Sequence, residues 1–182
     1  QQQQQQPLQN AVDLQYTLMV INIMCKGRPY SVDGQALLAN VVPNDDWPHQ
    51  LRIPCAGLSD KERAFLLQEW TLMAQQEHAS IASFARFALQ LVSLGAPPTL
   101  IQQTNQAMQD ELLHAKLVFG IASALAEKNF GVGEMNLGAF HHPTKEEILE
   151  AAILEGCIVE TITVAQMAAA QKHCSIKAIR GV

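Results

Sequence analysis

Beyond residue 59, hydrophobic positions recur with the period of an α-helix, and turn-forming residues interrupt this pattern at short breaks. Each of three such stretches opens with a serine or threonine that has a glutamate or glutamine three residues later, which is the signature of a capped helix start. The pattern predicts helices over about 60–94, 99–129 and 145–172, and the beginning of a fourth helix from 175.

The residues before these helices follow a different pattern. The first ten form a glutamine-rich tract of low complexity, which is typical of a solvated tail. β-prone residues over 14–42, with an Asp33-Gly34 turn signal, predict a small hairpin, and the proline-containing residues after it predict an irregular segment. We therefore expect three parts: a tail over 1–10, a small β-hairpin with an irregular extension over 11–58, and a helical domain over 59–182.

The lengths of the two connections predict how the helices are arranged. Only Gly95–Pro98 separates the first two helices, so they should be antiparallel neighbours. The next connection, 130–143, reaches about 46 Å when it is extended at about 3.3 Å per residue. The second helix is also about 46 Å long at about 1.5 Å per residue. The connection is therefore long enough for the third helix to run parallel to the second.

Composition narrows the class of protein. Hydrophobic residues make up 48% of the chain and charged residues 16%, which indicates a folded domain with a sizeable core. The net charge is −5 without a basic cluster, which argues against a nucleic-acid partner. No apolar run reaches the roughly 18 residues of a membrane-spanning helix, so no membrane segment is predicted and a cytoplasmic location is favoured. The four cysteines lack a Cys-x-x-Cys spacing and are expected to be free thiols.

Two acidic residues and one histidine lie on helix faces that are otherwise apolar. Glu111 and His114 are three residues apart, so they share one face of the second helix. Glu77 interrupts an apolar stripe on the first helix, and it differs from His114 by only about 3 Å along the axis when both are counted from the turn. An ionised carboxylate in apolar surroundings needs a partner. That partner is a metal ion or a buried base, unless both acids lie at the edges of their stripes.

The third predicted helix contributes Glu155 and Glu160. Glu155 lies in an apolar row, and the segment that it begins matches the segment that Glu77 begins in its acidic, small, β-branched, hydroxyl and apolar positions. This internal match predicts that Glu155 is the counterpart of Glu77. It leaves Glu160 as an alternative or supporting ligand.

These residues resemble the ferritin-like di-iron carboxylate proteins, which are four-helix bundles with one glutamate on each of two helices and Glu-x-x-His on each of the other two. Two segments, Glu77–Ser80 and Asp110–Ala115, are similar to a bacterial-type subgroup of ferritin-like domain proteins. Gly27–Tyr30 and Asp46-Trp47 are similar to the N-terminal extension of that subgroup. The resemblance covers 59–182 and implies an up-down-down-up four-helix bundle whose fourth helix is largely missing.

The resemblance also implies a ligand set and a metal. The ligands would be Glu77, Glu111, His114 and Glu155, with Glu160 as the less favoured choice on the third helix. Mixed carboxylate and imidazole ligands suit iron, here as a di-iron site, with manganese as the alternative.

A second Glu-x-x-His pair is absent from this sequence. Glu77 and Glu111 are 34 residues apart, and the same spacing from Glu155 places such a pair at 189–192. We therefore expect the pair just beyond Val182, and we expect this chain alone to bind metal weakly. The apolar faces that a fourth helix would cover are expected to favour a homodimer.

Three functions are compatible with this set of residues. The first is a di-iron oxidase or oxygenase that uses O₂ on an unknown small-molecule substrate. The second is an iron-binding or iron-storage protein, against which the long extension before the helices weighs. The third is a non-catalytic helical module with a degenerate, incomplete metal site.

Overall fold

The protein is mainly helical and is built on a long helical hairpin. Helices α1 (Asp60–Ser93) and α2 (Pro98–Ala126) pack against each other along their length. Gly95 has a φ of 64°, the left-handed conformation that their tight connection uses. None of the described helices offers an apolar stretch of the length that a bilayer crossing requires. The computed structural model describes residues 28–53, 55, 58–138 and 143–173.

The two helices of the hairpin begin differently. Helix α1 has the predicted capping box: Ser59 Oγ accepts a hydrogen bond from the amide of Glu62, and the Glu62 carboxylate accepts one from the amide of Ser59. The capping box predicted for the second helix is wrong, because no side chain caps that helix. Pro98 has a fixed helical φ and no N–H to leave unpaired, so α2 begins there and Thr99 already lies inside it.

A third helix has three contiguous parts, namely α3 (Lys145–Ala151), a π-helical segment (Ala152–Val159) and α4 (Glu160–His173). The predicted capping box at Thr144 begins it. The sequence predicts an uninterrupted α-helix, and the π-helical segment corrects that prediction. A π-helical turn changes the hydrogen bonding from i+4 to i+5, but Ala152–Val159 is apolar at most positions and therefore has no clear hydrophobic period in which the change would be visible. The fourth helix predicted from 175 lies outside the described residues.

The predicted hairpin before the helices is present over β1 (Ser31–Val32) and β2 (Gln35–Ala36). Its turn residues, Asp33 and Gly34, have φ values of 51° and 75°. Positive φ at both positions gives a turn whose twist matches that of the strands, so the Asp-Gly signal is confirmed. The tail and the β-prone residues up to 27 lie outside the described residues.

A second small sheet joins the N-terminal extension to the segment that follows the helical hairpin. Strand β3 (Val41–Pro43) pairs antiparallel with β4 (Phe130–Val132), which follows α2. This sheet is not predicted from the sequence, in which 130–143 is interpreted as the connection between the second and third helices. Three-residue strands that are distant in sequence are too short to show an alternating pattern.

The apolar core lies between the parts of α1 and α2 that are farthest from their connection. Trp70 and Phe119 are its largest side chains, and they are 2% and 0% exposed. A Cβ at Gly120 would collide with the carbonyl oxygen of His49, so the extension packs directly on the backbone of α2. The other buried members are Leu66, Met73, Ala74, Val118, Ile121, Ala122 and Leu125 of the hairpin, with Ala39, Phe130 and Val132 from outside it.

The third helix contributes little to this core. Of its described side chains, only Ile148 is buried. Many of its large apolar side chains are exposed, and they occur in all three of its parts: Leu149, Ile153, Leu154, Ile158, Val159, Ile162 and Val164.

Candidate metal centre

Glu77 of α1 and Glu111 and His114 of α2 come together between the apolar core and the helical turn. Each offers one ligand atom such that the three atoms lie within 4.8 Å of one another. His114 Nδ1 is 3.7 Å from Glu77 Oε2 and 3.9 Å from Glu111 Oε2. Glu77 and His114 therefore lie at nearly the same height along the hairpin, as the sequence predicts, because a tight turn packs α1 and α2 antiparallel.

The three side chains differ in exposure. The Glu111 side chain is 16% exposed, that of Glu77 22% and that of His114 47%. The two carboxylates are therefore held inside the hairpin, while the imidazole reaches its surface. The cluster has an open side.

Positive charge is scarce around the two carboxylates. Within the described parts of the chain, His114 is the only basic side chain that approaches them within ion-pair distance. The pKa of Glu77 is raised well above its ordinary value, first because burial disfavours its charged form and then because the carboxylate of Glu111 lies close to it. The pKa of His114 is also raised, chiefly by the neighbouring carboxylate of Glu111.

These residues fit a metal ion. Two carboxylates and one imidazole are a donor set for iron, manganese or zinc, and a cation between them would supply the positive charge that the hairpin lacks. Binding would displace the protons that Glu77 and His114 hold to a higher pH than usual. The structure thus contains a possible metal-binding cluster, and it leaves the identity of the metal undetermined.

Glu160 of the third helix lies beside this cluster without joining it closely. The pKa of Glu160 is raised, first by burial and then by the negative charge of Glu111, while Arg28 and His114 oppose the rise. The charge of Glu160 in turn helps to raise the pKa of Glu77 and that of His114. Glu160 is therefore within electrostatic reach of the cluster, although it is not one of the three grouped ligand residues.

Glu155, which the sequence favours as the ligand from the third helix, has a different partner. Its Oε2 accepts a hydrogen bond from Arg28 Nε at 3.1 Å. The guanidinium of Arg28 lies over the rings of Phe84 and Phe87, at 5.4 and 5.0 Å from their centroids. The structure therefore brings Glu77, Glu111 and His114 together and pairs Glu155 with a cation instead.

Arg28 is the residue near the site that sequence reasoning misses. It precedes the first strand and belongs to no periodic pattern, so its burial among aromatic side chains leaves no signal in the sequence. The family resemblance includes Gly27–Tyr30 but implies no role for Arg28.

Two neighbours of the ligands in sequence have partners outside the cluster. The ring of His78 packs edge-on against Trp47 at 5.1 Å, and burial lowers its pKa. Asp110 is exposed and accepts a hydrogen bond from Gln106. Its charge helps to raise the pKa of His114, but Asp110 is not one of the three grouped ligand residues, so it is a suitable control position for its neighbour Glu111.

Comparisons of this chain with protein-family models, with curated proteins and with solved structures find no match. The site must therefore be interpreted from its own geometry and chemistry.

Proposed function

We propose that this chain is a ferritin-like metalloprotein that binds iron, or manganese in its place, through Glu77, Glu111 and His114, with Glu160 as the contribution of the third helix. The observation that carries this proposal is the group of three ligand atoms within 4.8 Å of one another. Two largely buried carboxylates that share one half-exposed histidine as their basic partner are costly to fold, so their presence at this point favours a binding role over a structural one.

The direction of the third helix supports the ferritin-like part of the proposal. Glu155 shares Arg28 with Phe84 and Phe87, which are closer to the turn of the hairpin than the cluster is. Glu160 comes later in the helix, and the charges of Glu111 and His114 act on it. We infer from this order that the third helix runs in the same direction as α2, as it would in an up-down-down-up bundle.

We further propose that the bound metal serves an oxidoreductase reaction on a small molecule. A redox-active iron or di-iron centre would supply the activation of O₂ for that oxidation. The chain itself would hold the metal on two carboxylates and one imidazole. The exposed side of His114 gives O₂ and a substrate a path to the centre.

Anaerobic titration of the full chain with Fe(II), followed by calorimetry and elemental analysis, tests the metal site. We expect weak but measurable binding to the wild type, because only three ligand residues are grouped, and a further loss of affinity of at least about tenfold in Glu111→Gln. Asp110→Asn removes an exposed charge from the adjacent position and should bind Fe(II) as the wild type does. Equal binding by the wild type and Glu111→Gln would contradict the proposed site.

Admitting O₂ to the loaded protein then separates the possible activities. One or two irons per chain that cycle with a reducing substrate agree with an oxidoreductase. Many irons per chain would instead show storage. Absence of iron from the purified, titrated protein would leave a helical module without a metal function.

A further inference from the structure

The π-helical segment brings the two glutamates of the third helix to one face. In an α-helix, residues five apart differ by about 140° around the axis, because each residue turns by about 100°. In a π-helix the hydrogen bond runs from residue i to i+5, so residues five apart lie nearly above each other. The amide of Glu160 donates to the carbonyl oxygen of Glu155. Both carboxylates therefore leave the helix on the same side, one turn apart.

On that shared face the two carboxylates differ in their partners. Glu155 accepts a hydrogen bond from Arg28 at 3.1 Å. Glu160 makes no such bond with Arg28, and the charges of Glu111, Arg28 and His114 all act on it. The same helix face thus holds one carboxylate bound to a cation of the chain and a second one within electrostatic reach of the candidate metal centre.

Arg28 is held firmly where it meets Glu155. Its side chain is 7% exposed, and its guanidinium lies over two aromatic rings of α1. A Cβ added at Gly156 would lie 3.5 Å from Arg28 Nη1, so the guanidinium runs along the π-helical segment itself. Removing the carboxylate from a buried arginine leaves an uncompensated charge, which holds Glu155 in this pair.

We propose that Arg28 is a positioning residue that selects the ligand from the third helix: it engages Glu155 and thereby leaves Glu160 as the carboxylate that serves the metal centre. Glu155 is then a reserve ligand, one helical turn away, that becomes free when Arg28 is removed. This inference rests on the proposed metal site, and it assigns distinct roles to two glutamates that the sequence leaves as alternatives.

Fe(II) titration of the full chain compares the two glutamates directly. Glu160→Gln should weaken Fe(II) binding at least about tenfold, whereas Glu155→Gln should change it by less than about threefold. The two substitutions are chemically identical and lie one turn apart, so each is the control for the other. A larger loss in Glu155→Gln, or equal losses in both, would overturn the inference.

Removal of Arg28 in the Glu160→Gln background gives a readout that a merely structural arginine would not produce. Arg28→Gln/Glu160→Gln should recover at least about threefold in Fe(II) affinity relative to Glu160→Gln, because Glu155 is released to the centre. Arg28→Lys/Glu160→Gln keeps a cation for Glu155 and should recover less. No recovery in a folded Arg28→Gln/Glu160→Gln protein contradicts the selection, and the comparison of Glu155→Gln with Glu160→Gln decides it if that protein does not fold.

The wild type separates this inference from the proposed function. If the wild-type chain takes up no Fe(II), the metal site itself is absent and both proposals fail. If it binds Fe(II) and depends on Glu111 but ranks Glu155 above Glu160, the metal site stands and only the selection by Arg28 fails.

Discussion

The part of the helical hairpin far from its turn and the middle of the hairpin use the space between α1 and α2 in opposite ways. At the end far from the turn, Trp70 and Phe119 and their neighbours form a dry core under the extension. Nearer the turn, Glu77, Glu111 and His114 occupy the equivalent space. The first arrangement stabilises the fold by apolar burial, and the second costs stability unless a cation compensates it.

The coverings of these two parts differ as well. The core is closed by β3, β4 and the segment around Trp47, and Gly131 packs so tightly there that a Cβ would strike the Trp47 ring. The described part of the third helix, whose Glu155 reaches Arg28 and whose charge at Glu160 acts on the cluster, buries only Ile148 among its described side chains. Stability is therefore concentrated in the part of the hairpin far from the turn, and candidate chemistry in its middle.

The largest effect should come from deleting a core side chain. Phe119→Ala is expected to lower the free energy of unfolding by about 3–5 kcal/mol, because it removes a fully buried aromatic ring and leaves a cavity. Ile158→Ala at the 49% exposed position of the third helix should cost less than about 1 kcal/mol. Urea unfolding of both variants measures the difference. Equal losses of unfolding free energy in the two variants would contradict the conclusion that stability is concentrated in the apolar core of the hairpin.

The close packing of the extension on α2 predicts the next effect. Gly120→Ala should destabilise the protein by about 1–3 kcal/mol, since the added methyl group collides with the backbone of His49. At Gly133 the nearest atom to an added Cβ is a Val42 methyl carbon at 3.3 Å, which has room to adjust. Gly133→Ala is therefore the matched control with a smaller expected loss. Thermal unfolding that ranks Gly133→Ala as the worse variant would show that the extension does not pack on α2 in this way.

At the metal cluster, in contrast to the core, a substitution should raise the free energy of unfolding of the metal-free protein. Glu77 keeps its proton to a higher pH in the folded than in the unfolded chain, because burial and Glu111 raise its pKa. The stability that this proton provides is complete below the ordinary glutamate pKa and is lost as the pH rises through the raised one. Above that pH, Glu77→Gln should therefore stabilise the metal-free protein by about 1 kcal/mol while weakening Fe(II) binding.

Urea unfolding at mildly acidic and mildly alkaline pH measures this effect in metal-free protein. The gain from Glu77→Gln should grow with pH, and Asp110→Asn at the exposed neighbour of Glu111 should leave stability within about 0.5 kcal/mol. A loss of stability in Glu77→Gln at alkaline pH would mean that Glu77 supports the fold rather than a ligand.

The smallest expected effect compares the two capping boxes. Ser59→Ala removes the cap of α1, which carries the core, and should cost about 1 kcal/mol. Thr144→Ala removes the same interaction from the third helix. It should cost less in global unfolding, because that helix contributes little buried surface and frays without disturbing the core. Amide hydrogen exchange should place the loss from Thr144→Ala within the third helix alone.

Much of the helical framework is predictable from the sequence, because its signals are local. The capping boxes at Ser59 and Thr144 mark true helix starts, and the shortness of Gly95–Pro98 predicts the hairpin. The proximity of Glu77 to His114 follows from counting residues from that turn. Each of these inferences needs only the regular rise of an α-helix and the length of a connection.

The remainder depends on contacts between distant segments. The pairing of β3 with β4 involves three-residue strands on either side of the hairpin, and Arg28 reaches Glu155 across the fold. Glu155 and Glu160 look like alternatives on different faces when a period of 3.6 is assumed. The π-helical segment places them on one face, and the sequence does not reveal it because Ala152–Val159 is apolar at most positions and shows no clear period.

Anomalous diffraction at the iron edge, from crystals of the full chain grown anaerobically with Fe(II), tests the central claim most directly. The claim predicts a peak between the hairpin helices, about 2.0–2.3 Å from His114 Nδ1 and from a carboxylate oxygen of both Glu77 and Glu111. An iron peak at other residues, or none beside an intact Glu77–Glu111–His114 cluster, would contradict it.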